Sequence, residues 1–467
     1  MKRKYLGLVA FFALTFTFAS CSDDDDVTNS DETVVIENDK APATMAADGF
    51  YILNEGNFTT DNASLSFFNN DGAISYRAYA AANSGETLGK TGQFATIYGD
   101  NVYIVSFGGN RLVVADAKTL KKKVAIENIA GGENAARSFV GVNSKKGYIS
   151  TNSGISLFDI EQLKVGTTIA GISGEVVNMC LAGKYVFAAV ISEGIYVIDT
   201  STDKVDKVIK DNTINSVAQS KDGNIWAGAT SKLIKINPYT FEATTEVSFS
   251  DTHIEYSWNV GSFCASTQQN VLYWKDGNKV AKYDINSKSL NSAFYTLGKH
   301  DNGDQLLFYG AGLRVDPLTD NIVLSMTTGV WGNDINVVQL LTPQGALSKT
   351  INVKGGADNT DYYWFPAMPF FKDVNAPAIL TNQIVLKPNE EKTIDLNEVI
   401  VDADNASSSI IKSLLTSSAE GDIAQYELQK NMLTLKSSAK TGKMVIKLQA
   451  NSNGKIVEKD IRIDVRN

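Results

Sequence analysis

A strand cassette that returns about every 40 residues restricts the fold of this chain more than any other feature. Between residues 49 and 372 a short strand, a polar turn and an apolar strand closed by Asp or Asn recur in order. Asn101-Val102-Tyr103-Ile104-Val105 is followed by Arg111-Leu112-Val113-Val114-Ala115-Asp116. Tyr185-Val186-Phe187-Ala188 is followed by Ile195-Tyr196-Val197-Ile198-Asp199, and Val271-Leu272-Tyr273-Trp274 by Val280-Ala281-Lys282-Tyr283-Asp284. The closing residues Asn69, Asp116, Asp159, Asp199, Asn237 and Asp284 stand 47, 43, 40, 38 and 47 residues apart. A four-stranded propeller blade needs this period, because one small sheet cannot bury both of its faces alone and must stack on its neighbours. The closing Asp or Asn suits the turn between the third and fourth strands, where its side chain can bond the backbone.

A further copy pairs Asn321-Ile322-Val323-Leu324-Ser325 with Val337-Val338-Gln339-Leu340-Leu341, after a longer spacing. The first copy, Phe50-Tyr51-Ile52-Leu53, begins at the second strand of a blade, and the segment Tyr362–Met368 can supply its missing innermost strand. The expectation is an all-β chain with a seven-bladed β-propeller over residues 48–373. A β-sandwich is the rival, but sandwich strands do not repeat as four-strand cassettes at this spacing. After Ala376-Pro377 the pattern changes, and residues 378–467 read as a small antiparallel sandwich that resembles Ig-like or cadherin-like modules. Its Asp402/Asp404 pair can be read as a calcium contact or as a solvated turn.

The amino terminus reads as an address. Lys2-Arg3-Lys4, an apolar run from Leu6 to Phe18, and Ala19-Ser20-Cys21 have the order of a secretory signal. A cysteine directly after the small residues resembles a bacterial lipoprotein signal, with residues 1–20 removed and Cys21 lipidated. The Ser22-Asp23-Asp24-Asp25-Asp26 run resembles the export tag of Bacteroidetes surface lipoproteins, and residues 21–47 read as an acidic, disordered tether. The expected location is the outer membrane, lipid-anchored and facing the exterior.

The chain carries 43 Lys+Arg and 52 Asp+Glu, and removing Lys2, Arg3 and Lys4 leaves 40 against 52, a net of −12. Such a surface repels nucleic acid, and no basic patch with interleaved aromatics offsets it. Besides Cys21 there are only Cys180 and Cys264, read as two buried thiols at equivalent places two repeats apart. Little points to catalysis: His253 and His300 have no metal-ligand neighbours at regular spacing. Glu55, Asn178, Asn215 and Asn259 could line a calcium cage in a central channel, though blade turns need the same residue types. The expectation is a binding protein, with no resident cofactor or metal.

Propellers present ligand-binding loops before the first strand and between the second and third. Those loops carry Phe107, Arg137, Tyr256, Trp258, Trp274, Tyr309, Arg314, Trp331, Tyr363, Trp364 and Phe365. Aromatics with Asn and Gly suit a large, flat, partly polar ligand, because they offer area at small entropic cost. Tyr103 and Trp226, inside strands, are expected between blades.

Phe50-Tyr51-Ile52-Leu53-Asn54-Glu55-Gly56-Asn57 and Tyr362-Tyr363-Trp364-Phe365-Pro366-Ala367 make region 49–372 resemble the YncE-like propellers of Bacteroidetes surface lipoproteins. Within that group it resembles the BtuG-type cobalamin-binding lipoproteins. The resemblance implies corrinoid (vitamin B12) capture on the propeller face and delivery to a TonB-dependent outer-membrane transporter. A glycan- or peptide-binding surface lipoprotein, or a protein-interaction scaffold without small ligand, remains open beside it.

Overall fold

The computed structural model describes residues 49–56, 63–129, 135–329, 335–353, 365–418 and 423–467. The signal segment, Cys21, the tether, Trp331, Tyr363 and Trp364 lie outside the described residues.

Seven four-stranded antiparallel sheets account for residues 49–371. The first is built from Pro366–Phe371, Gly49–Asn54, Ser64–Asn69 and Ile74–Ser75, so the last strand of the region is its innermost strand. The other six follow in chain order. Their first strands are Lys90–Tyr98, Ala136–Gly141, Val176–Ala182, Ile214–Gln219, Cys264–Ala265 and Leu307–Val315. Each first strand touches the first strand of the next sheet, and the seventh touches the first, so the set closes into a ring of propeller type.

The cores explain the period. Successive side chains of a strand point to opposite faces. Val102 and Ile104 pack toward the first sheet, while Tyr103 and Val105 pack toward the third. Seven buried clusters each span two consecutive sheets, the last joining Val323 and Val338 to Phe50 and Ile52. Burial of each such side chain contributes about 1.5–3 kcal/mol. The second strands are therefore apolar on both faces, whereas outer strands such as Lys164–Thr168 and Lys204–Lys210 alternate with solvent. Tyr103 and Trp226 are fully buried between sheets.

One turn is repeated five times. Asp116, Asp159, Asp199, Asn237 and Asp284 close third strands, and the side chain of each accepts from a backbone N–H two or three residues on. Four residues after each lies a non-glycine residue at positive φ: Leu120, Leu163, Asp203, Phe241 and Lys288. The side-chain bonds hold a backbone region that such residues rarely adopt unaided.

Residues 378–467 have their own core around Leu396, Leu435, Ile446, Leu448 and Ile463. Gln383–Leu386, Lys455–Val465, Gly442–Ser452 and Ile411–Ser418 form one sheet, with Gln383–Leu386 pairing in parallel with Lys455–Val465. Glu391–Asp395, Met432–Ser437 and Ala424–Gln429 form a second. This domain sits against the ring at the end where the first strands finish. Gly99 donates to the Asn453 carbonyl at 2.9 Å, and Asn453 Nδ2 donates to the Ile97 carbonyl at 2.8 Å. Asp373, just beyond the last ring strand, accepts from Lys455 Nζ at 2.7 Å and Asn453 Nδ2 at 2.6 Å.

Asp404 is not laid out as a calcium ligand. Its Oδ2 accepts from the Val374 and Asn375 backbone N–H groups at 2.6 and 2.7 Å, and Oδ1 accepts from Asn375 Nδ2 at 2.5 Å. Asp402 Oδ1 accepts from the Asp404 backbone at 2.7 Å. Asp404 clamps the inter-domain linker, and Asp402 holds the Asp404 backbone. Cys180 and Cys264 are both free and lie on the first strands of the fourth and sixth sheets. Cys264 is buried and Cys180, against the sequence reading, half-buried; desolvation pushes the pKa of both thiols up to about 12.

Candidate functional site

The open mouth of the ring lies at the opposite end, where first strands begin and second strands finish. Its geometry comes from a repeated defect. At the start of the first strand, pairing with the second slips by one residue in five successive sheets. The residues left over are Ala367, Gln93, Arg137, Val177 and Asn215. A bulge of this kind bends the strand and re-aims one side chain. In the seventh sheet a wider irregularity between Phe308 and Leu313 takes in Tyr309.

Glu55 lies at the mouth, just past the second strand of the first sheet. Its backbone N–H donates to the Phe365 carbonyl at 2.8 Å, and its carbonyl accepts from Gly92 at 3.0 Å. The side chain is only 5% exposed. Gln93 Nε2 stands 3.4 Å from Oε1, while Oε2 has no partner. Burial raises the Glu55 pKa, opposed in part by the facing Tyr309 hydroxyl, the Gln93 amide and the Trp258 indole. Burial, with the Glu55 charge behind it, pushes the Tyr309 phenol upward in turn. The Tyr309 ring stacks on Phe365 at 4.9 Å and meets Trp258 edge-on at 5.6 Å.

Arg137 occupies the next position around the mouth. Its Nη2 lies 2.6 Å from Glu175 Oε1, and Nη1 donates to the Trp258 carbonyl at 2.5 Å. The guanidinium carbon sits 4.5 Å over the Phe107 ring, a cation–π geometry. Tyr256 donates to Glu175 at 3.0 Å. These contacts hold the segment before the sixth sheet so that Tyr256 and Trp258 stay 48% and 43% exposed. Asn259 behind them accepts from Ser257 Oγ and Gly261, but its Nδ2 has no partner.

Two candidate residues stand elsewhere. Trp274 is wholly buried, stacked on Phe249 at 5.4 Å, with its indole N–H bonded to Thr252 Oγ1 at 3.0 Å. It belongs to the core between the fifth and sixth sheets, because its strand position points inward between blades. Arg314 lies toward the far end of the seventh sheet's first strand, donating to the Leu313 carbonyl at 2.7 Å and lining the seam with the C-terminal domain. The cage residues of the sequence reading do not converge: Asn178 lies at the far-end seam with its Oδ1 accepting from the Met179 N–H, and Asn259 Oδ1 is taken by Ser257 and Gly261. Among the described residues no group of three or more His, Cys, Asp and Glu could hold a metal ion. Gln93 and Glu175 were not legible as site residues, since only the bulge and the ring closure bring them to the mouth.

The seam at the far end encloses a cavity of about 290 Å³, lined by Phe94, Tyr98, Asn178, Asn405 and Asn453 among others. The Asn178 and Asn453 amides there are spent on carbonyls of the fold, which marks it as packing space between the two domains.

Fold and site together define a propeller-type protein with a rigid, aromatic and polar mouth at one end. The chain belongs to the DUF5074 family, a domain of unknown function, which matches residues 48–372. That span ends with the strand that closes the ring. No curated protein matches the chain. Among solved structures it is similar to a quinonprotein alcohol dehydrogenase-like protein from Bacteroides thetaiotaomicron, at 17% identity and a TM-score of 0.52, covering 70% of this chain and 78% of that one. AztD from Citrobacter koseri aligns at 9% identity and a TM-score of 0.43, covering 76% of this chain and 92% of that one. The extracellular domain of a one component system from B. thetaiotaomicron aligns at 12% identity and a TM-score of 0.44, covering 88% of this chain and 62% of that one. At these identities the likeness concerns the fold alone.

Proposed function

We propose that this protein is a non-catalytic surface lipoprotein, anchored through Cys21, whose seven sheets are the blades of a seven-bladed propeller followed by an Ig-like module. In this reading it captures a corrinoid at the mouth and hands it to a TonB-dependent outer-membrane transporter. The observation that carries the binding role is the exposed Tyr256–Trp258 pair held beside buried polar groups that have no partners. The corrinoid itself comes from the resemblance of the opening and closing segments to BtuG-type lipoproteins. A corrinoid offers apolar edges and amide arms, which suit aromatic surfaces next to amide and carboxyl groups. A mouth held by hydrogen bonds before the ligand arrives loses little entropy on binding. The C-terminal domain sits at the far end of the ring, leaving the mouth as the face for cargo.

Calorimetric titration of the detergent-solubilised protein with cyanocobalamin tests the reading. One-to-one binding, weakened at least tenfold by Trp258→Ala, is the expected result. Absence of heat with both cyanocobalamin and cobinamide rejects the corrinoid. Copurification with a barrel transporter tests the delivery step.

A further inference from the structure

We propose that Glu55 and Gln93 form the selecting element of the mouth, an acceptor pair that takes the N–H of a carboxamide group on the ligand. The inference rests on the mouth being the binding site and adds the chemistry that it recognises.

Two neighbouring buried acceptors have no donor within hydrogen-bond distance, although the Tyr309 hydroxyl and the Trp258 indole face the Glu55 carboxyl. Glu55 Oε2 and Gln93 Oε1 are both without partners, on side chains 5% and 2% exposed. A buried acceptor left unpaired costs about 1–3 kcal/mol, so native structures rarely keep two together without a use for them. The fold also spends strain here. Gln93 is the extra residue of its bulge, and Thr91 beside it, a β-branched residue, is held at φ 58°. Backbone held in this region costs about 1–3 kcal/mol and clusters at ligand sites.

The surrounding charges narrow the ligand class. Glu175 already balances the charge of the Arg137 guanidinium, which leaves an anion little net attraction at the mouth. Burial disfavours the charged form of Glu55, which favours a neutral donor over an ammonium. A matching donor stands nearby. Asn259 Nδ2 is unpartnered and lies against Gly310, the residue after Tyr309, where a Cβ would come within 2.8 Å of it. A group that offers N–H and C=O together satisfies Glu55 or Gln93 with one end and Asn259 with the other. That group is a carboxamide.

The test compares wild type with Glu55→Gln and Gln93→Leu in two measurements. The first is the melting temperature of the ligand-free protein. Selection at Glu55 predicts that E55Q melts no lower than wild type, since it removes a buried carboxyl whose second oxygen has no partner within hydrogen-bond distance. A drop of several degrees makes Glu55 a structural residue and overturns the proposal. The second is binding, by calorimetry with cyanocobalamin and by Trp fluorescence with propionamide, the isolated amide group. Each variant is expected to weaken cyanocobalamin at least tenfold and to abolish the propionamide response. Cyanocobalamin binding unchanged in both variants overturns the proposal while leaving corrinoid capture standing. A propionamide response without cyanocobalamin binding rejects the corrinoid and keeps the amide site. No propionamide response in wild type overturns the amide site itself.

Discussion

Arg137 Nη2 and Glu175 Oε1 stand 2.6 Å apart across the boundary between the third and fourth sheets. The pair is 38 residues apart in sequence and fastens the loop of a third partner, the sixth sheet, through Trp258 and Tyr256. Two inner strands and one loop at the mouth thus depend on a single guanidinium.

Arg137→Met should therefore cost stability and loosen the aromatic face together. Removing one partner of a wholly buried pair costs about 3–5 kcal/mol. Glu175 is about a quarter exposed, so about 2 kcal/mol is expected here, read from urea unfolding. Acrylamide quenching of Trp fluorescence should rise in the same variant, because Trp258 loses the bond that holds its backbone.

Gly194 sits at φ 132°, and a Cβ there would meet the Ile209 carbonyl oxygen at 2.1 Å. Gly194→Ala should lower stability by about 1–3 kcal/mol from backbone strain, with the steric clash in addition. Gly277, at φ 57° with nothing near its Cβ, is the control. Gly277→Ala should cost about 1–2 kcal/mol. Urea midpoints of the two variants give the comparison.

The turn aspartates make the ring acid-sensitive. Burial alone would raise the Asp199 pKa, but bonds from Lys184 and Ser201 outweigh it and hold the group at about 2. The folded pKa lies below the unfolded value, so the stabilisation is full above about pH 4 and is lost as pH falls toward 2. Thr119 and Ser287 backbone groups lower Asp116 and Asp284 in the same direction. Thermal melts between pH 5 and 2 should show the loss, and Asp199→Asn should flatten its share of the slope.

Asp404→Ala should free the C-terminal domain from its fixed seat. The carboxylate bonds two linker N–H groups and the Asn375 amide, and hydrogen bonds to a charged group contribute about 1.5–3 kcal/mol each. Faster proteolysis at residues 373–377 and a larger radius of gyration by X-ray scattering are the expected readouts. An unchanged scattering curve would show that the remaining contacts, Asp373–Lys455 and Gly99–Asn453 among them, hold the domain.

The sequence by itself determined the ring and its repeat. Alternating apolar strands force each sheet to bury both faces, and the Asp or Asn at each closing position carries its own hydrogen bonds, so both are local and periodic. It also placed Phe107, Arg137, Tyr256, Trp258 and Tyr309 in loops, whereas Phe107, Arg137 and Tyr309 lie within strands. It could not separate them from Trp274, because burial depends on which face of the strand turns toward a neighbouring sheet. Nor could it find Gln93, Glu175 or the unpaired oxygen of Glu55. Those depend on a one-residue slip in strand pairing and on the closure that sets the first sheet beside the second and seventh. A slip of one residue turns a side chain from one face to the other, and its energy lies in contacts between distant strands. Tertiary structure alone decided which polar groups face the mouth, and which end of the ring the C-terminal domain occupies.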